Sequence, residues 1–266
     1  MKSGYWQNLT TRDFGTVDVE RTIALLPVAA VEQHGPHLPL ATDALINEAI
    51  VGAMLDRLAG APTVLVLPAL TIGSSLEHAD FPGTLSIDPV NLLRVWTDVG
   101  ACVARTGIRK LVIFNSHGGQ KALVDVAALQ LRVDHDLLVV RASYFAFGAP
   151  EGLFANEEWL HGIHGGEVET SLMLHLNPDL VRRDALENFP SLGVKLAEKN
   201  QLLGAEKPVG FAWKSQDLHA AGVCGNAAAA DAPRGAEYLV HLAQCLTSLL
   251  VEVGKTPLGI LADTRS

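Results

Sequence analysis

The chain has 266 residues, 48% hydrophobic and only 18% charged, against roughly 25% charged for an average soluble domain, so it can fill a core and is not intrinsically disordered. Asp and Glu outnumber Lys and Arg 29 to 20, a net charge of −9, and no basic stripe gathers anywhere, which excludes a nucleic-acid partner and an anionic membrane surface. No apolar run reaches the ~18 residues of a membrane span, the opening MKSGYWQNLTTRDF has no apolar signal core, and Cys102, Cys224 and Cys245 lack CxxC spacing; the expectation is a cytoplasmic protein with reduced thiols.

In chain order, strand-like runs alternate with helix-like ones from residue 22 to about 140, the pattern of a parallel sheet covered by helices. The first strand spans 22–30 and is followed by a polar loop, 32–43, and an amphipathic helix, 44–58, closed by Gly60. A second strand spans 63–69. After a long loop, 71–87, comes a helix with Asp88 as N-cap, Pro89 at its first position and Gly107 at its stop. The third strand is KLVIFN (110–115), the turn SHGGQ, the next helix 121–133 and the fourth strand 137–143. Each strand is apolar on both sides of its pleat, as buried parallel strands are.

Beyond residue 143 the alternation weakens. FGAPEGLFANEEWLHGIHGG reads as irregular, VETSLMLHL as helical and stopped by Pro178, and 188–232 as Gly-dotted and without clear period. A closing amphipathic helix spans 234–253 behind Asp231 and Pro233. No linker divides the chain, so one domain over 1–255 with a tail at 256–266 is expected.

Six of the ten histidines (His34, His37, His78, His117, His161 and His164) sit in Gly- or Pro-bearing loops beside carboxylates. The densest group, from Glu32 through His34 and His37 to Asp43, begins where the first strand ends, at the carboxyl edge where parallel sheets bind ligands. Glu32 and His34, two apart in an extended segment, face one side and can offer an oxygen and an imidazole nitrogen to one cation. Taken alone, Asp43 is equally an N-cap of the following helix and Glu32 a solvated loop charge. Neither explains so many ligand types within twelve residues that contain no Lys or Arg, whereas a divalent cation would neutralise them.

Asn115-Ser-His117-Gly-Gly-Gln120 repeats the arrangement after the third strand, with two glycines that let backbone N–H groups approach a ligand. In His161-Gly-Ile-His164-Gly-Gly-Glu167-Val-Glu169, His164 and Glu169 flank a helix start, one suited to carry a proton and one to ligate. Glu167 competes with Glu169 for the ligand role, its other reading being a first-turn carboxylate favoured by the helix dipole. His161 is read as a surface residue. The segment Leu76-Glu-His78-Ala-Asp-Phe81-Pro-Gly-Thr84 either walls a cavity and brings His78 to a substrate or is an ordinary surface loop.

EQHGPHLP with Asp43 downstream, GSSLEHADFPGTLS, FNSHGGQ and HGGEVETSLML, in this order and at these separations, resemble the creatininase family of metal-dependent amidohydrolases over roughly residues 20–177. The resemblance implies an α/β fold, a three-layer α/β/α sandwich with a mainly parallel central sheet, and one or two divalent ions per chain, zinc, manganese or iron. It implies that Glu32 and His34 bind different metals, that Asp43 bridges them and that His117 binds the first. The family's namesake carries a second-metal carboxylate two residues after that histidine; here the position is Gly119, and Glu169 is the expected replacement. The family's catalytic histidine matches His164, while its substrate-stacking tryptophans have no clear counterpart, Trp159 lying near one position.

The expected reaction is hydrolysis of a C–N bond in a small cyclic amide or formamide-like molecule by a metal-activated water. His164 would protonate the leaving nitrogen, and the N–H groups of Gly118 and Gly119 would hold the oxyanion. The same centre suits lactone opening or cleavage of a small peptide, and a non-catalytic metal or metabolite binder is the reading from another class. No GxSxG elbow supports a serine hydrolase. Beyond a small-molecule substrate, the expected partner is the chain itself, as a homo-oligomer up to a hexamer.

Overall fold

A computed structural model describes residues 2–60 and 62–261. The elements run β1 (Gly4–Tyr5), α1 (Thr11–Phe14), β2 (Thr22–Val28), α2 (Thr42–Arg57), β3 (Thr63–Val66), α3 (Pro89–Arg105), β4 (Lys110–Asn115), α4 (Lys121–His135) and β5 (Leu138–Ser143). The second half adds α5 (Asn156–His161), α6 (Glu167–Leu176), β6 (Asn188–Phe189), α7 (Leu192–Lys199), α8 (Ser215–Leu218), β7 (Gly225–Asn226) and α9 (Ala232–Lys255).

The strands β1–β5 form one parallel sheet in the order β1-β3-β2-β4-β5. Strands β2 and β4 lie at its centre and every residue of both is buried, the environment that strands apolar on both faces require. Alternate residues point to opposite layers. Ile23, Leu25, Val64, Val112 and Phe114 pack with Ile46, Ile50, Leu172, Tyr238 and Leu246 of α2, α6 and α9. Ala24, Leu26, Leu65, Leu111 and Ile113 pack with Leu92, Trp96, Val103, Val124 and Leu131 of α3 and α4. The result is the expected three-layer α/β/α sandwich with its parallel sheet in the middle.

The strand order also fixes where a ligand can sit. From β2 the chain steps outward to β3, and from β4 it steps outward the opposite way to β5. The loops after β2 and β4 therefore part from neighbouring strands at the carboxyl edge and open a crevice between them. Those are the loops that carry Glu32, His34 and His117.

Asp88 caps α3 as expected, accepting hydrogen bonds from the N–H groups of Val90 and Asn91. Asp43 does not cap α2: the helix starts at Thr42 behind Ala41, so Asp43 lies in the first turn, buried and turned inward. The opening segment supplies the short edge strand β1, which two residues of sequence could not announce. The stretch read as irregular holds α5, and 188–232 holds α7, α8 and the short antiparallel pair β6 and β7 that brackets them. Helices of four to eight residues complete little more than two turns and show too little periodicity to read. Of the expected tail, Leu258–Ile260 forms a 3-10 turn, and 262–266 lies outside the described residues. No helix among the described residues is long and apolar enough to cross a membrane.

Candidate metal centre

The turn after β4 is fastened by its own side chains. Asn115 Nδ2 donates to the carbonyl of His117 (2.6 Å), Asn115 Oδ1 accepts from the N–H of His117 (3.1 Å), and Gln120 Nε2 donates to the same oxygen (2.8 Å). Ser116 Oγ donates to the carbonyl of Asp43 (2.9 Å), tying this turn to the first turn of α2. With the loop after β2, these contacts bring Glu32, His34, Asp43 and His117 together, all buried.

Hydrogen bonds on the far side of each ring decide which nitrogen faces inward. His34 Nδ1 donates to the carbonyl of Glu32 (3.1 Å), leaving the Nε2 lone pair 3.3 Å from Asp43 Oδ1 and 3.8 Å from Glu169 Oε2. His117 Nε2 donates to the carbonyl of Ser74 (3.0 Å), leaving Nδ1 3.1 Å from Glu32 Oε1 and 3.4 Å from Asp43 Oδ2. Asp43 thus spans two groups, His34–Asp43–Glu169 on one side and Glu32–His117 on the other, and its place in the first turn of α2 favours the ionised form. Among the described residues, Glu32 Oε1 and Oε2, His34 Nε2 and Asp43 Oδ2 are buried without a hydrogen-bond partner. Lone pairs converging at 3.1–3.4 Å, out of reach of water, are costly unless a cation sits between them.

The field in the cluster agrees. Burial opposes a charge on His34, but the hydrogen bond and charge of Asp43, with Glu169 and Glu32 behind, hold its pKa up at about 9. On His117, too, burial opposes the charge, and Glu32 and Asp43 outweigh it and push the pKa well up. The same negative field that favours a proton on either ring favours a cation at the same place. The donor set of imidazoles and carboxylates suits zinc, manganese or iron.

Glu169, not Glu167, lies beside His34 and Asp43. The N–H of Gly165 and the hydroxyl of Tyr144 donate to Glu169 Oε2 (2.7 Å) and Oε1 (3.0 Å), and Oε2 faces His34. Glu167 instead pairs with Arg234 of α9, so its role is to fix α6 against α9. His164 is half-buried in the cavity wall. Its Nε2 donates to the carbonyl of Gln33 (2.8 Å), which leaves Nδ1 directed at Glu32 Oε1, 3.8 Å away. His78 is buried, not on a surface loop: Gln33 Nε2 donates to its Nδ1 (2.7 Å), so its Nε2 carries the proton toward Glu32 Oε1 (3.4 Å). Gly118 and Gly119 line the same cavity, and so does His161, which is half-buried rather than on the open surface.

The sequence reading missed three contributors, Gln33, Tyr144 and Glu77, and gave no role to a fourth, His37. Gln33 ties His78 to the carbonyl of Gly222 (2.6 Å), Tyr144 holds Glu169, and Glu77 stands 3.4 Å from His117 Nε2. His37 Nε2 donates to the carbonyl of Gly165 (2.9 Å) and pins the His164 loop to the first. Gly35 and Gly165, with φ of 69° and 65°, turn these two loops against the side chain of Val223, which a Cβ at either position would strike at 2.7 and 2.5 Å.

Above the centre opens a cavity of about 920 Å3, walled by Trp159, Phe145, Phe211 and Trp213 and floored by Glu32, Asp43 and His117.

The family profile for creatininase, described as creatinine amidohydrolase, matches residues 7–250. Creatinine amidohydrolase of Pseudomonas putida is 32% identical over 71% of this chain and 78% of its own. Mycofactocin precursor peptide peptidase of Mycolicibacterium smegmatis is 34% identical over 62% of each chain, so the match spans under two thirds of that relative's length. A solved structure described as "Creatininase Mn" superposes with a TM-score of 0.76 at 27% identity, covering 96% of this chain and all of that one. Matched along almost its whole length in both sequence and fold, the chain belongs to the creatininase family.

Proposed function

We propose that the protein is a divalent-metal hydrolase that cleaves the C–N bond of an amide. The observation that carries this reading is the convergence of buried, unpartnered lone pairs of Glu32, His34 and Asp43 on the floor of an open cavity. His34, Asp43 and Glu169 would hold one cation, and Glu32, His117 and Asp43 a second, with Asp43 between them. A divalent cation there supplies Lewis acidity and lowers the pKa of water to about 7.

The chain's own groups do the rest. Burial, and next the charge on His34, keep the pKa of His164 well below the usual value, so the ring is neutral. Anchored through Nε2, it presents Nδ1 to the reacting group, where it can take a proton from water and pass it to the leaving nitrogen. The proton on His78 Nε2 steadies the Glu32 carboxylate. The N–H groups of Gly118 and Gly119 lie on the cavity wall, where a carbonyl oxygen gaining charge would be held.

The size of the cavity favours a peptide over the small cyclic amide suggested by the sequence motifs. At about 920 Å3 it is at the upper end of the roughly 300–1,000 Å3 of ligand sites, and it has an aromatic wall that a molecule of creatinine's size would leave largely untouched. The mycofactocin peptide peptidase relative agrees with that choice. The test is a panel of cyclic amides, formamides, lactones and short peptides with added manganese or zinc, each repeated with a chelator. Chelator-sensitive release of an amine is expected, greatest with peptides. Turnover that survives full metal removal would end the reading, and tight metal binding without turnover of any member would make the protein a binder.

A further inference from the structure

The family pattern places a carboxylate at the position that is Gly119 here, and the structure shows what occupies that space. A Cβ built on Gly119 would lie 1.6 Å from Glu77 Oε1 and 2.5 Å from the carboxyl carbon. The carboxylate of Glu77, from the loop after β3, therefore fills the volume through which a side chain at 119 would have to pass. The short 3-10 turn Leu76–His78 makes the approach possible, sending Leu76 to solvent at 58% exposure while Glu77 and His78 turn toward the centre.

We propose that Glu77 is a ligand of the cation held by Glu32 and His117, and that Gly119 is the residue that admits it. One oxygen each from Glu32 and Glu77 and one nitrogen of His117 lie within 4.8 Å of one another, close enough for one ion to contact all three. Glu77 Oε1 is 3.4 Å from His117 Nε2 and 4.0 Å from His78 Nε2, but the Nε2 proton of His117 is already given to Ser74. The side chain is only 15% exposed, and it adds a carboxylate beside Glu32, whose two oxygens have no hydrogen-bond partner among the described residues. A buried carboxylate beside another destabilises the fold unless a cation is shared between them.

The inference rests on the metal reading above, and a double-mutant cycle separates the two. Affinity for manganese or zinc is measured by chelator competition on metal-free wild type, Glu77→Ala, Gly119→Ala and the double variant, with a thermal melt of each metal-free form. Glu77→Ala is expected to weaken the site of Glu32 and His117 about 10- to 100-fold and to leave the metal-free melt unchanged or higher, since carboxylate crowding is relieved. Gly119→Ala, which keeps Glu77 but pushes its carboxylate aside, is expected to weaken binding comparably. The double variant should be no weaker than Glu77→Ala alone. Wild-type affinity in Glu77→Ala, or losses that multiply in the double variant, would overturn the inference while leaving the centre standing. A wild-type chain that binds no metal would instead overturn the centre.

Discussion

Two regions face each other across the cavity and are held in unlike ways. The rim built from the loops after β2 and β4 is buried and fixed several times over: Asn47 Nδ2 reaches the carbonyls of Val28 (3.2 Å) and Phe114 (3.3 Å), Ser116 reaches Asp43, and Asn115 and Gln120 lock the turn that carries His117. The opposite wall, residues 200–214, is mostly exposed and held by less: Ala205 and Trp213 in a small apolar cluster with Leu192 and Leu218, backbone bonds between Leu202, Gly204 and Val209, a hydrogen bond from Trp213 Nε1 to Glu206 (3.1 Å), and an ion pair from Lys214 to Asp80 (2.7 Å). Groups that must meet within a fraction of an ångström to share a cation are mounted on the rigid central strands. The side that would meet the variable part of a substrate is left on a loop that can change without disturbing them.

The sharpest way to break this contrast is to cut each region once. Asp43→Ala removes the carboxylate between the two groups and is expected to lower turnover by about 10³-fold or more, the equivalent of several kcal/mol of lost charge stabilisation, with a matching fall in metal content. Trp213→Ala, on the wall, is expected to leave metal content unchanged and to move KM more than kcat. Steady-state kinetics and elemental analysis of both variants decide it. Equal effects on metal content would mean that wall and rim are one unit.

The contrast also explains what could be read from the sequence. The rim was legible because its ligands are local: Glu32 and His34 are two apart at the end of an apolar strand, and His117 ends KLVIFN. Such short-range patterns survive without coordinates. The groups that aim the ligands were not legible, because their partners are distant. Gln33 finds Gly222 across 189 positions, Tyr144 finds Glu169 across 25, and His37 finds Gly165 across 128. Glu77 lay in a motif read as a cavity wall, and its neighbours at the centre, Glu32 and His117, come from other strands. The wall was the least legible of all, since residues 200–214 form neither helix nor strand and the elements around them, α7, α8, β6 and β7, are too short to show a period.

Between rim and wall lies the contact that locks the His164 loop, and acid should open it first. Burial pushes the pKa of His37 down to about 4, only partly countered by its bond to Gly165. A histidine whose folded pKa lies below its unfolded value near 6.5 stabilises the neutral form only. Its stability contribution is complete above pH 6.5 and is lost as pH falls through 4, up to about 3 kcal/mol. Urea unfolding of metal-free wild type and His37→Gln between pH 7.5 and 4 measures this. The wild type is expected to lose more stability over that interval than the variant, and parallel curves would show that His37 is not the group that titrates.

The smallest effect is expected at the clasp of the wall itself. Lys214 and Asp80 are 58% and 51% exposed, and Gln216 Nε2 also donates to Asp80 (2.6 Å), so Asp80 keeps a partner when Lys214 is removed. Exposed pairs of this kind contribute little to stability and weaken with salt. Lys214→Met should therefore change folding stability little and leave metal content unchanged. Its signature is in the salt dependence of KM: a wall clasped by this pair loosens as ionic strength rises, and a wall already unclasped has nothing left to lose. A variant whose KM follows salt as the wild type's does would show that the pair does not hold the wall, and that Trp213 and the backbone bonds around Gly204 are sufficient to shape that side of the cavity.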